Sequence, residues 1–203
     1  MDLTVRGRQM TTAALALLLL GASPACAFDA RQTFSPGTTV LSVEAGGGSQ
    51  NNLENHRVQS NLDLWYLGLR YSLLPLAPVG PSVLHGSLEV GLGPVYQKYE
   101  GGRDAFWAGL SAQGRWHFLS LGRFVPYVEI GAGVGGTDLN AIEINSAFAF
   151  LLSAGVGAAV FITDQIALYG GYRLVHVSNG HTSRLNRGFE ADTGVVGMSY
   201  YFK

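Results

Sequence analysis

The chain is expected to fold as an all-β protein, an eight-stranded antiparallel transmembrane β-barrel. Three observations lead there. Apolar residues recur with period two in segments of roughly 10 to 15 residues, as in strands with one face to lipid and the other to a lumen. After Ala27 no apolar run reaches the length of about 18 residues that a membrane-crossing helix needs. The connections between segments alternate between tight turns and longer, more polar loops, as in barrels with short turns at one rim and long loops at the other.

The first 27 residues read as a cleaved signal peptide. Arg6 and Arg8 supply a basic start, Thr11 to Gly21 is a short apolar core, and Ala25-Cys26-Ala27 fits a small-residue cleavage site. Cys26 lacks the aliphatic lead-in of a lipoprotein. Residues 28–203 are then the barrel domain. Cleavage leaves 11 basic and 13 acidic residues, a formal charge of −2, and removes the only Cys, so no intramolecular disulfide forms. A near-neutral chain with no basic run is not a nucleic-acid binder. Only 13% of the 203 residues are charged, 28 are Gly and 11% are aromatic, a composition poor in charge for a soluble globule.

Eight strands are expected at about 38–46, 60–74, 82–96, 104–118, 123–135, 146–161, 165–178 and 189–202. The fourth is the clearest. Its even positions are Phe106, Ala108, Leu110, Ala112, Gly114, Trp116 and Phe118, against Ser111, Gln113, Arg115 and His117. Strand three sets Leu84, Leu88, Val90 and Leu92 against His85, Ser87 and Glu89. Strand five sets Phe124, Val128, Ile130 and Val134 against Tyr127 and Glu129, and strand six sets Phe148, Phe150, Leu152, Val156 and Val160 against Ser153, Gly155 and Gly157. The phase of strands one and two is the weakest, because Leu62 to Leu74 is apolar on both parities. Tight connections are expected at Pro75–Pro81, Leu119–Gly122 and Thr163–Asp164, and longer ones at Gly47–Gln59, Gln97–Arg103, Gly136–Asn145 and Asn179–Gly188.

Glu44, Glu89, Glu129, Arg115 and Arg173 fall on the lumen parity, and Arg70 is assigned there too. An eight-stranded barrel is filled by its side chains, and charges buried inside must be paired. These six are therefore expected to stabilise the interior and take no part in chemistry.

The chemistry-bearing stretch is Tyr172 to Glu190. His176 and Ser178 are two apart and share one face of strand seven. Their parity is that of Ile166, Leu168 and Leu174, the lipid face. Glu190 shares the parity of Val196, Met198, Tyr200 and Phe202 in strand eight, and a hairpin would bring it beside His176. Nucleophile, base and carboxylate could meet on the outer wall near the long-loop rim, and a site facing lipid implies a lipid substrate. A Ser-His-Glu triad asks for no metal and no cofactor. His176, His181 and Glu190 offer only weak metal-ligand spacing.

These residues resemble the lipid A 3-O-deacylase family (PagL), eight-stranded outer-membrane barrels. The resemblance lies in His176-Val177-Ser178-Asn179, then Asn186-Arg187-Gly188, then Glu190 at the start of the last strand. It implies an esterase that releases the acyl chain at the 3-position of lipid A, with Ser178 as nucleophile, His176 as base and Glu190 as its orienting partner. It also places Asn179, Gly180, His181 and Asn186 around the oxyanion site, with His181 standing where the family carries Gly. The partner it implies is lipopolysaccharide of the outer leaflet, met by a membrane-embedded barrel whose active site lies on the outer side. A homodimer stays open. So do two other readings, a non-enzymatic structural or adhesive barrel and a lipid A acyltransferase or phospholipase on a similar barrel.

Overall fold

The computed structural model describes residues 28–51, 58–102 and 104–203. The signal-peptide reading of residues 1–27 lies outside them. Eight strands follow in order: β1 (Thr39–Gln50), β2 (Asp63–Leu73), β3 (Gly86–Glu100), β4 (Ala105–Phe118), β5 (Phe124–Thr137), β6 (Phe148–Phe161), β7 (Ile166–Ser178) and β8 (Phe189–Phe202). Each pairs antiparallel with its sequence neighbour, and β1 closes on β8 through Thr39↔Phe202 to Gln50↔Ala191. Closure leaves no unpaired sheet edge, which is what lets strands sit in a medium without water.

Alternation decides which face each residue takes. On β4, Ala105, Trp107, Arg115 and His117 are buried while Phe106 and Leu110 are exposed. The doubtful phase of β2 resolves with Leu64, Tyr66, Arg70 and Ser72 inward and Trp65, Leu67, Leu69 and Tyr71 outward. Cross-strand register imposes this, since Arg70 lies opposite Ser42 of β1, two residues from Glu44.

Three boundaries differ from the sequence reading by four residues. Strand three begins at Gly86, because Ser82–Leu84 forms a 3-10 turn with Ser82 at φ +46°. It then runs on to Glu100, so the β3–β4 connection is short and the β2–β3 connection is the longer one. Strand one extends to Gln50 by pairing with β8. The alternation of loop lengths is therefore weaker than the sequence suggests.

The six lumen charges pair as expected. Arg173 reaches Glu44 (2.6 Å) and Glu129 (2.8 Å), Arg115 reaches Glu129 (2.7 Å), and Arg70 reaches Glu44 (3.3 Å) and Glu89 (3.5 Å). His117 adds a contact to Glu89 at 2.8 Å. At the rim of the β6–β7 turn a short helix, α1 (Ala30–Thr33), is capped by the Asp29 carboxylate and carries fully buried Phe34 against His117, Phe161 and Tyr201. At the opposite rim Leu62, Tyr99, Trp107, Leu139, Ile144 and Phe189 form an apolar plug beneath the loops. Both mouths are filled, so the barrel is a packed body and not a pore.

Candidate active site

β7 and β8 meet at the loop rim in a register that sets His176 opposite Glu190. Val175 and Val177, the residues flanking His176, are buried toward the lumen, so His176 and Ser178 stand on the outer wall. That wall is the apolar one, with Phe150 and Leu152 of β6 opposite Ser178 and His176. His176 Nδ1 lies 3.1 Å from Glu190 Oε1, with the imidazole side chain 34% and the carboxylate 14% exposed. A carboxylate only accepts, so Nδ1 carries the proton and Nε2 of the neutral ring is left as the basic nitrogen. Among the described residues Ser178 Oγ makes no hydrogen bond. Contacts of this kind often tighten only when substrate is bound.

The loop from Asn179 to Gly188 is wound through four positions with positive φ: Gly180 (+61°), His181 (+63°), Leu185 (+66°) and Gly188 (+84°). Asn179, fully buried, organises it. Its backbone N–H donates to Asn186 Oδ1 (2.8 Å), its side-chain amide donates to Ser183 Oγ (2.7 Å), and its Oδ1 accepts from the His181 N–H (2.9 Å). Asn179 and the His181 N–H are thus engaged within the loop. The Asn186 amide donates to His181 Nδ1 at 3.3 Å. Gly180 is exposed, and among the described residues its N–H donates to nothing. The structure therefore brings His176 and Glu190 into contact, keeps Ser178 on their face, and folds Asn179, Gly180, His181 and Asn186 into one loop beside them.

Two residues near the site were given no role from the sequence, although Gly188 stands in the Asn186-Arg187-Gly188 motif. Gly188 packs on the imidazole so closely that a Cβ there would lie 2.6 Å from His176 Cε1. Its place before strand eight was the available signal. Glu143, in the β5–β6 loop, is fully buried. It accepts from the Ser60 N–H (3.0 Å), Ser60 Oγ (2.6 Å) and Gln50 Nε2 (2.9 Å), and its carbonyl accepts from the Arg187 N–H (2.8 Å). Burial pushes its carboxyl up, but the hydrogen bonds from Ser60 and Gln50 outweigh that and hold it below the usual carboxylate range. Nothing local in Ala141-Ile142-Glu143-Ile144 marks it.

A closed eight-stranded barrel with an apolar outer wall belongs to the class of outer-membrane barrels, here with a histidine–carboxylate pair on that wall. Within that class the sequence matches the model of the lipid A 3-O-deacylase (PagL) family over residues 65–199, and the chain belongs to that family. Among solved structures it is similar to the outer-membrane enzyme PagL, at 18% identity and a TM-score of 0.61 over 77% of this chain and 97% of that one. It is also similar to Neisserial surface protein A, at 13% identity and a TM-score of 0.52 over 82% and 99%. At these identities the likeness is one of fold. No curated protein sequence matches the chain.

Proposed function

We propose that this protein removes the ester-linked acyl chain from the 3-position of lipid A in the outer leaflet of the outer membrane, with Ser178 as nucleophile. The observation that carries the reading is the His176 Nδ1–Glu190 Oε1 contact of 3.1 Å on the lipid-facing wall, in a member of this family. His176 Nε2 takes the Ser178 proton as Oγ attacks the ester carbonyl. The oxyanion is held by the Gly180 N–H and the Asn186 amide, and Asn179 and His181 keep that loop in shape. Losing one such donor typically costs about 10²–10³ in rate. The tetrahedral adduct collapses, the sugar oxygen leaves with the proton from His176, and the acyl chain stays on Ser178. Water, activated by the same nitrogen, then releases the fatty acid. Glu190 keeps the imidazole in the required tautomer and stabilises it when charged.

The site's position suits the substrate. Its polar groups sit at the loop rim above an apolar wall, so a lipid can lay its chains on the barrel while its ester reaches Ser178. The test is mass spectrometry of lipid A incubated with the refolded protein. Loss of one 3-hydroxyacyl chain supports the reading. An unchanged lipid A points to a passive barrel and a gained chain points to transfer, and either result ends the proposal.

A further inference from the structure

Glu143 lies outside the proposed triad, yet it joins the three outer loops that surround it. Its two arms run to the two members of the His176–Glu190 pair. Through its backbone, the Glu143 carbonyl holds the Arg187 N–H at 2.8 Å. Arg187 is followed by Gly188, whose backbone is the surface on which the His176 ring rests. The neighbouring bridge Ile144↔Asn186 and the Asn145 N–H to Leu185 carbonyl bond (3.3 Å) extend the same seam. Through its side chain, the carboxylate holds Gln50 and Ser60. Gln50 ends β1, and the next residue, Asn51, donates its N–H to the Glu190 carbonyl at 2.8 Å. The segment behind the base and the segment beside the carboxylate are thus tied to one buried residue, the first through its backbone and the second through its side chain.

We infer that Glu143 is a positioning residue that clamps the β1–β2, β5–β6 and β7–β8 loops so that the His176 ring stays seated on Gly188 and in register with Glu190. The inference rests on the proposed deacylase reading for its effect on rate, but not for its effect on loop order. Among the described residues Glu143 makes no hydrogen bond to Ser178 or His176, so its influence passes through backbone. A buried carboxylate suits the task because it accepts three hydrogen bonds at once from donors on either side of the β1–β2 connection, Gln50 and Ser60. Glu143→Ala deletes all three. Glu143→Gln keeps the shape, since its oxygen can face Gln50 and the Ser60 N–H while its amide donates to Ser60 Oγ.

The experiment compares wild type, Glu143→Ala and Glu143→Gln as refolded full-length barrels. Heat-modifiability confirms that each barrel is closed. Hydrogen exchange is read over residues 185–188, and kcat and KM are read for fatty acid release from lipid A. In Glu143→Ala exchange should rise across that segment, kcat should fall on the order of tenfold to a hundredfold, and KM should stay within about threefold. Glu143→Gln should restore most of both. Unchanged exchange in Glu143→Ala overturns the clamp. Faster exchange with wild-type kcat, while Ser178→Ala is inactive, overturns the positioning role and leaves the deacylase reading intact. If wild type itself releases no fatty acid, the deacylase reading fails, and the clamp stands or falls on the exchange result. Should Glu143→Ala not refold, Ser60→Ala removes one donor with little loss of packing. It should show the same changes at smaller size, and their absence counts against the inference.

Discussion

Arg173 and His176 lie three residues apart on β7 and look in opposite directions. Arg173 points into the barrel, where Glu44 and Glu129 accept from its guanidinium at 2.6 and 2.8 Å and the Tyr66 hydroxyl accepts at 3.2 Å. His176 points out, holds one carboxylate at 3.1 Å, and keeps its other nitrogen for something else. Both are polar contacts between a basic and an acidic residue. The inner one is a network of several paired side chains, buried in the lumen. The outer one joins His176 to Glu190 on the apolar outer face, part-exposed. On the proposed reading the inner arrangement contributes stability, and the outer one moves a proton to and from a bound lipid.

This contrast can be broken from either side. The largest effect expected is from Ser178→Ala, which should lower fatty acid release by at least about 10⁴-fold while the barrel stays heat-modifiable, because a nucleophile's loss removes the whole covalent route. A refolded Ser178→Ala that keeps the wild-type rate would refute the mechanism. Glu190→Ala should be milder by roughly 10- to 100-fold, since the carboxylate only orients the imidazole. Equal losses for the two variants would mean that Glu190 does more than orient. Arg173→Ala should reverse the pattern. It leaves three lumen glutamates with two arginines, one buried charge uncompensated, so stability should drop by about 3–5 kcal/mol in a urea titration, with chemistry spared in the fraction that folds. If stability is unchanged and activity is lost, the lumen network belongs to the site after all.

Two smaller changes sharpen the boundary. Leu110, outward and 52% exposed on β4, lies on the lipid face away from the site. Leu110→Arg should cost about 2–4 kcal/mol of folding stability in lipid if it sits near mid-bilayer. A neutral result would argue that this face does not meet hydrocarbon. His181 sits at φ +63°, a left-handed conformation that costs a side-chain-bearing residue about 1–2 kcal/mol. His181→Gly relieves that strain and loses the Asn186 contact, so the rate should stay within about threefold of wild type while unfolding shifts slightly. A steep fall would mean that the imidazole takes part in the site.

Much of this was legible in the residues because a strand has an unforgiving period. The alternation of Phe106, Leu110 and Trp116 with Arg115 and His117 states which side meets lipid, and a slip of one residue would exchange the faces. The same parity placed His176 and Ser178 together on the outer wall, and the hairpin from Asn179 to Gly188 carried Glu190 to the same face. Where alternation was absent, the sequence was silent. Leu62 to Leu74 is apolar on both parities, and only pairing with β1 turned Arg70 inward. Where alternation ran past the strand, the sequence misled. Leu84 continued the pattern of strand three, but the 3-10 turn at Ser82–Leu84 ended it.

The sequence by itself determined the barrel, its inward and outward faces, and the outward placement of the three candidate catalytic residues, since each follows from period and spacing along one strand or one hairpin. Only the tertiary structure decided the rest. It settled which lumen charges pair, that Asn179 and the His181 N–H are tied inside their loop, and that Glu143 joins three loops. The physical reason is distance along the chain. Glu143 meets Ser60 across 83 residues and Gln50 across 93, and Arg173 meets Glu44 across 129. Such contacts form only once the barrel has closed, when the strand ends and the loops between them are held in one ring.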